Sequence, residues 1–136
     1  MKTTYSILVS TVLGLAVLTT SFTSEKEPGV LKSKTLPVSS FAFFRTHHQG
    51  SGITATWGLT SEQGISGFIV ERTYEDPTDP YAQWDCVCAS QCNGSRSYKT
   101  TDLNVSPGFI TYRVTAYFQF GGSMMSDNST EHVVSH

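Results

Sequence analysis

Cys86, Cys88 and Cys92 stand close together in the pattern C-x-C-x3-C. Three thiols at this spacing suit a disulfide or a soft metal ion. An odd count leaves one thiol over. Two arrangements of the segment are open. If residues 89–91 form a tight connection, Cys88 and Cys92 flank it and can bridge. If Asn93-Gly94 is a hairpin turn, the two lie on one strand roughly 13 Å apart at ~3.3 Å per residue, beyond a disulfide's reach. Cys86 is the alternate partner. His47 and His48 add two imidazoles. Adjacent residues on a strand point to opposite faces, and the spacing fits no zinc template, so no metal ligand is assigned. The run YEDPTDPY carries Glu75, Asp76 and Asp79. Glycoside hydrolysis needs two carboxylates across a cleft. These three share one loop without a second wall, and read as a solvated loop ahead of a calcium site. Tyr81 and Trp84 follow, and exposed rings stack on sugar faces. They are the ligand-binding candidates, against the reading that Trp84 packs beneath its loop. Glu71 and Arg72 read as outward charges pairing with neighbours such as Arg113.

No serine, histidine and acid set comes with a nucleophile motif, and no glycine-rich phosphate loop opens a helix. No catalytic residue and no cofactor is therefore assigned, and an enzyme is not expected. Three N-x-S/T sequons start at Asn93, Asn104 and Asn128, and matter only in a host that glycosylates.

The elements that must position these residues begin after a leader. Lys2, an apolar run from Ile7 to Leu18 and a small polar zone have the layout of a signal peptide, expected over 1–24. The apolar run is about 12 residues, short of the about 20 that span a bilayer, so no stable membrane insertion is expected after cleavage. Residues 25–37 are charged, carry Pro28, Gly29 and Pro37, and read as a linker. With Lys2 removed, eight of the nine basic residues remain against eleven acidic ones, a mature charge near −3. No basic run appears, so nucleic acid is not an expected partner.

From residue 38 onward the apolar residues recur with period two. Ile53, Ala55 and Trp57 share one face of GITATWG. Phe68 and Val70 share one face of SGFIVERTY. Ile110, Tyr112, Val114, Ala116 and Phe118 share one face of FITYRVTAYFQF. Shorter strands are predicted around FAFFRTH, QWDCVCA, RSYKTTD and EHVVS. Proline and glycine fall between these strands, as turns. About seven short alternating strands and no helical period predict an all-β, antiparallel sandwich over 38–136. Gly121-Gly122 reads as a hairpin tip needing positive φ.

The order of Trp57, the run ISGFIVER, Leu103 ahead of a proline-glycine turn, and YRVTAY resembles a fibronectin type III domain. The run WGLTSEQGISGFIVERTYE (57–75) is similar to the type III-like modules of bacterial secreted and surface proteins. The resemblance implies a seven-stranded immunoglobulin-like sandwich. It also implies a core of Trp57, Phe68, Val70, Leu103, Tyr112 and Val114. Its layout has residues 88–92 cross between sheets, which favours a Cys88–Cys92 disulfide. It implies a secreted or cell-envelope module for binding or adhesion, with a protein or surface glycan as partner. Two alternatives stand beside this. One is a carbohydrate-binding accessory domain using Tyr81 and Trp84. The other is a secreted redox or metal-binding protein using Cys86, Cys88 and Cys92.

Overall fold

The computed structural model describes residues 38–135. The expected signal peptide, the linker and His136 lie outside the described residues. Eight strands follow in order: β1 (Phe41–Gln49), β2 (Gly52–Leu59), β3 (Ile65–Thr73), β4 (Asp85–Gln91), β5 (Ser97–Asp102), β6 (Gly108–Phe118), β7 (Ser123–Met125) and β8 (Ser129–Val133). One sheet has the order β1-β2-β5. The other has β4-β3-β6, with β7 and β8 both along the far side of β6. All pairings are antiparallel.

The strand count exceeds the expected seven because the last strand is broken. The register on β6 shifts by one residue between Thr115↔Met125 and Tyr112↔Ser129. Ser126 fills the break. Its backbone N–H donates to Val114 O at 2.8 Å, and its hydroxyl accepts from Val114 N at 2.9 Å. At the other end of β7 the chain turns through Gly121 (φ 98°) and Gly122 (φ 85°), left-handed values that side chains resist.

The period-two apolar residues meet between the sheets. Trp57 and Tyr98 lie side by side in register on β2 and β5. Their rings stack 5.7 Å apart, and Phe68 of the opposite sheet packs against both at 5.7 and 4.6 Å. Val70, Ile110, Tyr112, Val114 and Ala116 are at most 1% exposed. Burying side chains of this size contributes about 1.5–3 kcal/mol each.

One charged group enters this interior. On β5 the inward positions are Tyr98, Thr100 and Asp102, so Asp102 is buried at 6% exposure. Burying a carboxylate without partners is costly, and the opposite sheet supplies them. Arg72, at the inward position after Val70, pairs with Asp102 through Nη1 and also donates to Asn104 O at 2.6 Å. The Tyr112 hydroxyl donates to the same carboxylate oxygen at 3.0 Å, and Asn104 N–H donates to the other at 3.1 Å. Burial alone would lower the Arg72 pKa; the Asp102 carboxylate more than offsets that and raises it. Burial, then the hydrogen bond to Asp102, push the Tyr112 phenol far above its ordinary value.

This arrangement corrects two expectations. Arg72 is not an outward charge; only Glu71 is. Leu103 is not core: it is 69% exposed. Strand alternation gives the inward position to Asp102, which turns the next residue out, over Gly52.

Two outcomes follow. Asp102→Ala leaves the Arg72 charge half-buried without its partner and lowers unfolding free energy by about 3 kcal/mol in urea titration. Arg72→Met combined with Asp102→Leu recovers part of that loss. Because the Tyr112 phenol is held protonated in the fold, its contribution is intact below the ordinary phenol pKa of about 10 and is lost as pH rises above it. The urea midpoint of the wild type therefore drops on raising pH from about 9 to 11, and the drop is shallower in Tyr112→Phe.

Candidate functional site

The three cysteines lie along the open edge of the larger sheet. Register on β3 passes from Cys88↔Val70 to Cys86↔Glu71, so Val87 is an extra, bulged residue. The strand then runs extended past Gln91, and Cys92 N–H donates to Ser66 O at 3.0 Å. No tight connection exists at 89–91. Cys88 and Cys92 therefore sit on one extended segment, and all three thiols are free. The expected Cys88–Cys92 bridge is not formed, for the geometric reason that strand rise separates them. Cys92 Sγ instead lies 3.5 Å from the Tyr98 hydroxyl. That hydroxyl donates to Glu62 Oε1 at 2.6 Å and accepts from Asn93 N at 3.0 Å. Burial, then Cys92 and Glu62, raise the Tyr98 phenol well above its ordinary value.

His47 and His48 point to opposite faces of β1. His48 turns inward and meets Glu131 at 3.5 Å, and His132 stacks on Phe109 at 4.5 Å. Among the described residues no three His, Cys, Asp or Glu side chains gather as a metal site would need.

The acidic loop between β3 and β4 uses its carboxylates on itself. Asp76 accepts from Thr78 N and Oγ1 at 2.9 and 2.7 Å, bonds that lower its pKa. Asp79 accepts from Tyr81 N at 2.9 Å, and Glu75 from Gln83 N at 2.8 Å. These are turn-forming bonds. Tyr81 emerges from the loop and is 84% exposed. Trp84 differs. The Arg113 guanidinium lies 3.7 Å over its ring and donates through Nε to Glu71 at 2.9 Å. One face of Trp84 is thus already occupied, so of the two candidate rings only Tyr81 keeps both faces open. The ion pair of Glu71 with Arg113 is the neighbour pairing that the sequence implied for Glu71.

The Glu71, Arg113 and Trp84 group belongs to the outer face of the larger sheet. One register step along the strands, Ala89, Ile69, Thr115 and Met125 form a row across β4, β3, β6 and β7. Tyr117 follows on β6. Met125 is 54% exposed and Tyr117 40%, while Thr115 beneath them is buried. The sequence singled out neither Ile69 nor Tyr117 for binding. The signal was present in the odd-numbered, outward register of β6, where apolar side chains were not required by the core. Two pockets open elsewhere. One, of about 270 Å³, has Arg72, Asp102 and Asn104 in its wall, all engaged with one another. The other, of about 320 Å³, lies between the β1–β2 turn and the carboxyl end, against Val105, Pro107 and Val133.

No protein-family model matches the sequence, and no curated protein matches it. Solved structures do. A pectate lyase of Pectobacterium carotovorum is 12% identical with a TM-score of 0.51, over 68% of this chain and 27% of that one. A pectate lyase of Erwinia chrysanthemi, in complex with tetragalacturonic acid, is 15% identical at 0.51, over 68% and 27%. This chain therefore spans about a quarter of the lyases' length, and the likeness is one of fold. An Fn3-like protein from Clostridium thermocellum is 18% identical with a TM-score of 0.44, over 68% of this chain and 90% of that one. The two sheets, β1-β2-β5 against β4-β3-β6 with the split last strand, give the architecture that the resemblance implied. The fold is fibronectin type III-like.

The cysteine geometry gives a direct expectation. Intact mass of the folded protein shows no loss of two hydrogens, and denaturing labelling counts three thiols. In the native state exposed Cys86 reacts first, with the half-buried Cys88 and Cys92 slower. A mass two hydrogens light in the monomer would contradict the strand geometry.

Proposed function

We propose that the chain is an exported, non-catalytic binding module that meets a protein partner through the outer face of the five-stranded sheet. One observation carries this reading: Ile69, Tyr117 and Met125 lie on neighbouring strands of a face that antiparallel sheets ordinarily give to polar residues. Tyrosine, tryptophan, methionine and arginine are the residue types enriched where proteins meet, and this face supplies one of each with Trp84 and Arg113. Methionine adapts its shape to a partner at small cost. The Glu71–Arg113 pair beside the strip gives it polarity and register. The type III-like fold supports binding by analogy, since such folds carry their function in grafted surfaces.

The test replaces two side chains that the core does not use. Tyr117→Ser with Met125→Ser leaves the thermal midpoint within a few degrees, because both are exposed. Proximity labelling of the exported protein in its own cells then compares wild type and variant. The reading requires a set of captured proteins whose yield falls about tenfold or more in the variant. An identical capture profile from the two would refute it.

A further inference from the structure

The described domain is acidic, with five basic side chains against nine acidic ones. Two of the five are committed to carboxylates, Arg72 to Asp102 and Arg113 to Glu71. The remaining three, Arg45, Arg96 and Lys99, make no salt bridge among the described residues and are all exposed. They are not scattered. Arg45 pairs in register with Thr56, and Thr56 with Lys99, so the two cations flank one threonine across β1, β2 and β5. This row is on the outer face of the smaller sheet, since its neighbours in sequence, Trp57 and Tyr98, point into the core. Strands lie ≈ 4.8 Å apart, which sets the two charges' backbones roughly 10 Å from each other.

The rows on either side are uncharged or basic. On one side stand His47, Thr54 and Thr101, with Thr54 Oγ1 hydrogen-bonded to Thr101 Oγ1 at 2.9 Å. On the other stand Phe43, Gly58 and Ser97, with Arg96 next in the chain. Phe43 lies flat on Gly58: a Cβ there would come within 2.5 Å of its ring. The Arg45 guanidinium covers the ring at 4.9 Å. None of the residues in these three rows carries a carboxylate.

We infer that this face of the smaller sheet is a second binding surface, for a linear polyanionic glycan of the polyuronate class. The surface presents the hydroxyl groups of Thr56, Ser97 and Thr101 between and beside two cations whose backbones are roughly 10 Å apart. That suits a chain whose charges are separated by hydroxyl-bearing rings. A nucleic acid is the poorer fit. It carries about one charge per 1.7 Å, far denser than two cations roughly 10 Å apart can match, and base stacking needs an open ring, whereas Phe43 is capped. An anionic bilayer is also a poorer fit, since Phe43 is capped and Leu103, at the margin of the face over Gly52, is a single protruding apolar side chain. The inference rests on the reading of the chain as a binding module, but not on which face takes a protein.

The test is retardation of the full exported chain in native gels cast with polygalacturonate, with neutral dextran as the uncharged comparison. The wild type is expected to be retarded by polygalacturonate and not by dextran, and to lose retardation in about 0.5 M salt, where charges are screened within a few ångströms. Arg45→Gln with Lys99→Gln is expected to weaken binding about tenfold, while Arg45→Lys with Lys99→Arg retains it. Tyr117→Ser with Met125→Ser, on the opposite face, retains glycan binding. Absence of retardation in the wild type overturns the inference, as does undiminished binding by the double glutamine variant. Tighter binding to a single-stranded oligonucleotide or to anionic phosphatidylserine vesicles than to polygalacturonate also overturns it. Loss of glycan binding only in the Tyr117 and Met125 variant would assign the glycan to the other face and overturn both assignments of surface.

Discussion

A single buried carboxylate constrains much of this domain. Asp102 ends β5 at an inward position, and a charge there is tolerated only with partners in fixed places. Those partners come from both strands that face it: Arg72 from β3 and Tyr112 from β6. The two sheets are thereby tied at the end of the sandwich where the aromatic cluster of Trp57, Phe68 and Tyr98 does not reach. The same requirement sets the local chain path. Asn104 returns its N–H to Asp102 and its carbonyl to Arg72, so the turn after β5 folds back on the ion pair and Leu103 is carried outward. A hydrophobic residue at 102 would free Arg72 and remove the reason for this turn.

The part of the fold that was legible in the sequence is the part governed by period two. Trp57, Phe68, Val70, Tyr112 and Val114 lie at alternating positions of long strands, and each is at most 2% exposed. What failed was decided by single-residue departures from that period. The Val87 bulge and the extended run to Cys92 cannot be read from composition, and they place Cys88 and Cys92 where no bridge forms. Leu103 failed because a carboxylate held the inward position, against the usual preference of charged residues for water. Among the site residues, Glu71 with Arg113 was legible because both sit outward on adjacent strands. Tyr117 and Ile69 were not, because an apolar residue on an outward register looks the same in sequence whether it meets a partner or a neighbouring side chain.

Charge is partitioned between the two sheets in a way that follows from the same economy. On β3 and β6 the two arginines are matched by acids from β5 and from β3 itself, so the larger sheet presents apolar and aromatic groups beside a neutralised pair. On the smaller sheet the inward positions of β5 hold the acid, and the outward ones are left to lysine, serine and threonine. The cations of that sheet consequently have no carboxylate on their own face. Opposite faces of one thin sandwich thus differ in the kind of ligand they can attract, although the domain as a whole is acidic.

The free thiols bear on how such a domain stays folded without a covalent staple. Small exported domains commonly rely on disulfides where the core is too small. Here about a hundred residues form two sheets, enough to bury a continuous core without a staple. The β4 edge that carries the cysteines is shielded by other means. Its bulge at Val87 interrupts the flat row of backbone donors and acceptors that would invite another strand, and Asp85 places a charge at its start. The interior thiols Cys88 and Cys92 behave as small apolar side chains at the margin of the core. Cohesion therefore rests on the aromatic cluster at one end and the Asp102 ion pair at the other. For that reason replacing Cys92 by serine, which puts a hydroxyl in place of the thiol near Tyr98, perturbs the fold less than replacing Asp102, whose loss leaves the Arg72 charge without its match.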